Sequence, residues 1–220
     1  MRAMPDRIRL RLPEPDDHPL LAAWCNDPDL TPHFYADEPV SLESHLRWYE
    51  GVKNDPNQRF FVIEALVEPP TASEYGTPYQ YIPGLKPPAP IGTTGLLNMD
   101  WRSRSAEYGR FKIGDRRYRG NGCGFEAEML LMRHAFEHLN LNRVYGYVLA
   151  YNERVRALHR KTGFVEEGCL RQAVYKRGQY HDLVVVGLLR KDWERLNAKA
   201  QGSEGAKEEV DYAHDGAANR

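Results

Sequence analysis

Arg119-Gly120-Asn121-Gly122-Cys123-Gly124-Phe125-Glu126-Ala127 places alternate glycines between a strand pattern and the longest helical pattern of the chain. Glycine lets the backbone take positive φ and approach a ligand closely. The unpaired N–H groups of the helix that follows favour an anion. Arg117 and Arg119 add cations at the same point. By its chemistry the turn is a pyrophosphate cradle. Two other readings stand beside it. Gly122 to Ala127 spells the dinucleotide fingerprint G-x-G-x-x-A, but that motif expects an apolar strand running straight into its first glycine. Here Asp115-Arg116-Arg117-Tyr118-Arg119 intervenes. The bland reading is a glycine-rich helix entry with no ligand.

Outward from the turn, the patterns alternate between strand and helix. Upstream, residues 105–114 read as a strand, as do 90–97, the β-branched and aromatic run 59–66, and the alternating run 7–12. Between the first two strands lie two helices. One opens at Pro15 and carries Leu20, Leu21 and Trp24; the other is capped by Ser41, with Leu42, Leu46 and Tyr49 on one face. Downstream, residues 123–139 form the long helix and 143–150 a strand. Residues 152–162 form a short helix with Asn152 as N-cap and Gly163 just past its end. A hairpin follows about Arg177-Gly178. The order β-α-α-β-β-β-α-β-α-β-β implies a mixed α/β sheet. Residues 67–90 are rich in proline, which removes ladder donors, and read as a long inserted loop. Residues 1–197 read as one domain; residues 198–220 read as a disordered tail by composition.

The chain has 220 residues, enough for one domain with a core. Lys plus Arg is 30 and Asp plus Glu is 31, a net charge of -1, which lacks the basic excess of a nucleic-acid binder. Cys25, Cys123 and Cys169 have no metal spacing and suit a reducing compartment. No run is long and apolar enough to span a bilayer, and residues 1–11 lack a signal-peptide core. The expectation is a cytoplasmic protein without membrane or nucleic-acid partners. His134-Ala135-Phe136-Glu137-His138 matches the H-x-x-E-H spacing of a zinc helix, but no motif supplies a further ligand, so no metal is expected.

The glycine turn resembles the acetyl-CoA motif of the GNAT acetyltransferase superfamily, R-x-x-G-x-G. A second stretch, Asn152 through Leu158, His159, Lys161, Gly163 and Phe164, resembles that family's N-x-x-x-x-x-L-Y-x-K-x-G-F segment. The two occur in the family's order, and the chain is similar to the branch holding ribosomal-protein N-terminal, polyamine and amino-sugar acetyltransferases. The resemblance implies a GNAT fold: a mostly antiparallel central sheet with two splayed parallel strands and flanking helices. It also implies an N-acetyltransferase that moves an acetyl group from acetyl-CoA to a primary amine of a small molecule or peptide. The alternative is a GNAT-fold module that binds acyl-CoA without transfer. A homodimer is compatible with the resemblance, and no sequence feature decides it.

What the resemblance implies for the site follows residue by residue. Ile113, Arg117, Arg119, Gly120, Asn121, Gly122, Cys123, Gly124, Phe125, Asn152, Ala157 and Leu158 would border acetyl-CoA. Glu107 is the candidate base, expected on the same strand face as Phe111 and Ile113 because side chains alternate. His159 stands where the family carries tyrosine and is the candidate acid for the leaving thiolate. The first helices and the hairpin would enclose the amine, through Phe34, Tyr35, Asp37, Glu38, Tyr180 and Asp182. His33, Tyr175 and His181 neighbour them.

Overall fold

A computed structural model describes residues 7–35, 38–68 and 86–201. Among these residues seven strands form one sheet in the order β1-β2-β3-β4-β5-β7-β6. These are β1 (Ile8–Arg11), β2 (Arg59–Ala65), β3 (Ala89–Asp100), β4 (Ser105–Ile113), β5 (Arg143–Leu149), β6 (Val165–Lys176) and β7 (Gln179–Leu189). Every neighbouring pair is antiparallel except β4 and β5. That exception places the site. The parallel pairing runs only from Ser105↔Arg143 to Glu107↔Tyr145. Beyond it the two strands part, as the sequence reading expected.

Among the described residues five α-helices accompany the sheet: α1 (His18–Cys25), α2 (Leu42–Lys53), α3 (Cys123–Arg133), α4 (Glu153–Thr162) and α5 (Arg190–Gln201). The expected caps are present. Ser41 Oγ accepts from the Ser44 N–H at 3.0 Å. Asn152 Oδ1 accepts from the Val155 N–H at 3.3 Å, and Gly163 closes α4 with φ 95°. The main core joins Ile63, Ile91 and Leu96 of the sheet to Leu131 and Met132 of α3 and Trp193 of α5. Burying each such side chain contributes roughly 1.5–3 kcal/mol. A smaller cluster joins Leu21 and Trp24 of α1 to Val52 of α2 and Phe60 of β2 on the opposite sheet face.

Several boundaries differ from the sequence reading. α2 buries His45 and Val52, whereas Leu42 and Leu46 are exposed. The inward stripe is therefore His45, Tyr49 and Val52, at i, i+4 and i+7. The long helix ends at Arg133 and passes into a π-turn over His134–His138, closed by the Leu139 N–H on the His134 carbonyl at 3.0 Å. α5 continues to Gln201, so the change in composition at Ala198 falls within a helix rich in the helix formers Ala, Lys and Gln. Most of the proline-rich insertion, residues 69–85, and the tail from residue 202 lie outside the described residues. No helix among the described residues is long and apolar enough to cross a membrane.

Candidate active site

The fork between β4 and β5 opens into a cleft of about 1260 Å³. Its walls come from α1, α2, the parted strands, the glycine turn and α4. At the glycine turn, Gly120 and Gly122 both take positive φ, 82° and 96°. A Cβ on Gly122 would meet the Arg7 guanidinium at 3.0 Å, and one on Gly124 would meet Phe111 at 3.3 Å. Gly122 is the N-cap of α3 and carries no side chain to occupy the first N–H groups. Gly124 and Phe125, whose N–H groups fall in the first turn, line the cleft. Two open helix-terminal donors beside a turn that only glycine adopts readily suit a pyrophosphate. Arg7 fixes the turn from β1's side: Nη1 donates to the Asn121 carbonyl at 3.0 Å, and Nε donates to Glu126 Oε1 at 2.7 Å.

Not every residue expected around this turn reaches the cleft. Gly120, Gly122, Gly124, Phe125, Ile113, Arg119, Asn152 and Leu158 line it. Asn121 and Cys123 do not; Asn121 Oδ1 instead accepts from the Cys123 N–H at 3.2 Å, and burial pushes the Cys123 thiol up to about 11. Arg117 turns to Asp115, with Nη2 to Oδ2 at 2.6 Å. Ala157 lies on the exposed side of α4. Arg119 borders the cleft, but its guanidinium donates to the Ile113 and Gly114 carbonyls and to Asp27, each at 2.8 Å. Its visible role is to tie the end of β4 to the loop after α1. Two cations not among the expected site residues, Arg154 and Lys161, line the α4 side, where Lys161 lies 4.7 Å above the Phe125 ring.

Glu107 stands at the last parallel pair, at the point where the strands part. Its Oε2 accepts from Asn98 Nδ2 at 2.8 Å. The expected strand face is corrected by a bulge. Gly95 pairs with Gly109 and Thr93 with Lys112, so β4 carries one residue more than β3 across this interval. Arg110 takes φ 56° there. An extra residue reverses alternation. Tyr108, Phe111 and Ile113 consequently share the face toward the main core, and Glu107 lies on the other.

His159, also at the cleft, is 2 % exposed. Its Nδ1 lies 2.6 Å from Oε1 of Glu128, which is fully buried on α3. The Tyr108 ring packs edge-on at 5.3 Å and Phe164 lies at 5.0 Å, so the imidazole is held on several sides. Burial, with the Glu128 charge adding to it, pushes the Tyr108 phenol well above its ordinary range.

On the α1–α2 side, Phe34 and Tyr35 line the cleft. The Tyr35 hydroxyl donates to the Tyr147 carbonyl at 2.5 Å, tying this loop to β5 beyond the last parallel pair. Burial first, then Glu107, raises the Tyr35 pKa. Lys176 reaches this loop from β6: Nζ donates to the Thr31 carbonyl at 2.6 Å, to Pro32 at 3.2 Å and also to Phe34. Glu38 is exposed away from the cleft, and Asp37 lies outside the described residues. Tyr180 and Asp182 do not line it. Tyr180 packs tilted against Tyr175 with ring centroids 5.0 Å apart, and Asp182 accepts from the Gln172 N–H at 2.7 Å, holding an irregularity in β6. The hairpin of β6 and β7 reaches the loop beside the cleft through Lys176 of β6.

His134 and His138 of the H-x-x-E-H stretch face each other with ring centroids 5.7 Å apart. Among the described residues no three His, Cys, Asp or Glu side chains converge as metal ligands.

Residues 7–165 match the family model described as an acetyltransferase (GNAT) domain. The chain is 39% identical over 103 residues to a putative ribosomal N-acetyltransferase, YdaF, of Bacillus subtilis, covering 47% of this chain and 55% of that one. It thus spans little more than half of that relative's length. An uncharacterized N-acetyltransferase of Bacillus licheniformis, p20, is 32% identical over 193 residues, 86% of this chain and 96% of that one. In fold, the chain superposes on the crystal structure of spermidine N-acetyltransferase from Vibrio cholerae in complex with CoA and spermine. The TM-score is 0.72 at 22% identity, over 86% of this chain and 99% of the other.

Proposed function

The chain belongs to the GNAT acetyltransferase domain family, and from that membership we propose that it transfers an acetyl group from acetyl-CoA to a primary amine by direct attack, without an acyl-enzyme. The observation that carries this reading is the fork. The parallel pairing stops at Glu107, and the parted strands open a cleft that runs from that carboxylate to the α3 N-terminus. The structural relative in complex with CoA and spermine shares this fold.

In this reading Gly120, Gly122 and the N–H groups of Gly124 and Phe125 hold the pyrophosphate, with Lys161 and Arg154 as the nearby cations. Asn152, Val155 and Leu158 border the arm. Acetyl-CoA supplies the thioester carbonyl that is attacked and the thiolate that leaves. The amine must attack as the neutral base, so Glu107 takes up its proton directly or through water. The amine nitrogen bonds to the carbonyl carbon and the carbon–sulfur bond breaks. His159, on the other face of β4, gives a proton to the departing sulfur, and Glu128 holds the imidazole for that step. Base and acid thus approach the fork from opposite sides of the sheet. The amine enters from the α1–α2 side, past Tyr35 and Phe34.

The test is a thiol-release assay with acetyl-CoA and a panel of peptides, amino acids, polyamines and amino sugars. Release with at least one amine, matched by acetyl-amine formation, is expected. Tight CoA binding with no release across the panel would replace this reading with that of a binding module.

A further inference from the structure

Among the described residues the charge on the amine side of the cleft is unbalanced. The carboxylates that line it there are Asp29 and Glu107. Asp29 is committed to Arg116 at 2.8 Å and to Arg119 at 3.5 Å. That leaves Glu107, whose partner is the neutral Asn98. Against it stand Arg110 and Lys112, both lining the cleft and neither in an ion pair among the described residues. Arg110 lies 4.7 Å over the Trp48 ring, and its Nη2 donates to Gln58 Oε1 at 2.5 Å. Its Nη1 is buried without a hydrogen-bond partner among the described residues. Burial, only partly opposed by Glu107 and Asp55, lowers the guanidinium to about 10. Lys112 Nζ lies 3.1 Å from Cys25 Sγ and 4.9 Å over the Phe34 ring.

Both cations sit on the side away from the proposed arm of acetyl-CoA. The bulge at Arg110 turns Phe111 and Ile113 toward Gly124 and Leu158. Lys112, lying between them in sequence, points the other way, to Cys25 of α1 and Phe34. Arg110 points to Trp48 of α2 and Phe60 of β2. One strand therefore presents to the acceptor a carboxylate at Glu107 and, three to five residues on, two cations that make no ion pair among the described residues. A polyamine would place its distal ammonium against them. At about 4–6 Å and an effective dielectric near 20, such a like-charge contact costs a few kcal/mol.

We infer that Arg110 and Lys112 form an anion subsite for the acceptor, so that the preferred amine carries a carboxylate or similar anionic group and is not a polyamine. This inference rests on the transferase reading and deepens it. The amine lies at Glu107 and the anion toward Arg110 and Lys112, a separation on the order of 10 Å along an extended strand.

The experiment compares acceptors that differ only in their far end: 6-aminohexanoate, hexylamine and 1,6-diaminohexane. A second arm uses hexapeptide amides that begin Ala-Asp or Ala-Lys, so that small-molecule and peptide acceptors are separated. Thiol release gives kcat/KM, and calorimetry on the CoA complex gives acceptor binding. In at least one arm the anionic acceptor should exceed the neutral or cationic one by about tenfold or more. Lys112→Gln should remove most of that advantage, and Lys112→Glu should reverse it, with acetyl-CoA affinity unchanged in both. Preference for the cationic acceptor, or a preference that the Lys112 variants do not move, overturns the subsite. Release with no acceptor overturns the transferase reading alone, because calorimetry still reads the subsite: anionic amines that bind no better than cationic ones then overturn it too.

Discussion

His159 Nδ1 lies 2.6 Å from Glu128 Oε1, although 31 residues separate them, and both side chains are buried. α3 supplies the carboxylate and α4 the imidazole. Such a pair fixes which ring nitrogen faces Glu128 and leaves the other for chemistry. Glu128→Gln preserves the shape and removes the charge. We expect about a tenfold fall in kcat with little change in the KM for acetyl-CoA, and recovery of part of the loss in Glu128→Asp. A structural role would instead lower the melting temperature and leave kcat of the folded enzyme and its pH profile as in the wild type.

Glu107→Gln should slow turnover most at low pH, where more of the amine arrives protonated and a base matters most. Its CoA affinity should stay near wild type, since Glu107 lies on the face of β4 away from Phe111 and Ile113. The check is a pH–rate profile paired with CoA calorimetry. An unaltered profile would make Glu107 a bystander.

Gly124→Val should weaken acetyl-CoA binding by about tenfold or more, because a side chain there enters the space between the helix N-terminus and Phe111. Gly122→Val adds backbone strain at φ 96° and contact with Arg7, and should also cost stability of about 1–3 kcal/mol. CoA calorimetry beside thermal unfolding separates the two effects. Unchanged affinity in folded Gly124→Val would remove this turn from the cofactor site.

Burial, with His138 and Arg59 adding to it, lowers His134 to about 4. His45 is also lowered to about 4 by burial, with His18 and Lys112 adding to it. A group with a depressed folded pKa binds its proton more readily when unfolded. Its contribution is therefore complete above the unfolded value near 6.5 and is lost as pH falls toward 4. Unfolding free energy should drop between pH 7 and 4.5, and His134→Gln should reduce that drop by on the order of 2 kcal/mol. Denaturant titrations at several pH values decide it; equal slopes in both proteins would refute the assignment.

The insertion after β2 leaves the sheet near the glycine turn. Its described root is tied there, since the Tyr118 hydroxyl donates to the Val67 carbonyl at 2.9 Å and Tyr118 lines the cleft. Replacing residues 69–85 with a short turn should leave amine preference unchanged while CoA affinity or oligomeric state moves. A changed amine preference would make the insertion part of the acceptor site.

What the sequence determined by itself was local backbone chemistry. The glycine turn, the Ser41 and Asn152 caps and the Gly163 stop could be read because each depends on a few adjacent residues and on the φ they permit. The parting of two parallel strands was implied by the family resemblance that the two motifs carry, and the order of the strands in the sheet came from the structure. Tertiary structure alone decided which side chains meet. The bulge at Arg110 adds one residue to β4 relative to β3, a relation between strands that alternation within one strand does not record, and it moved Glu107 to the opposite face. Glu128 found His159 by helix packing, and Lys176 found the loop at Phe34 across 142 residues. Arg119 and Asp182 carry the right charge for a ligand, yet the fold spends them on carbonyls, Asp27 and a backbone N–H. Charge is written in the sequence; which charges remain uncompensated, as at Arg110 and Lys112, depends on partners brought together only by the folded chain.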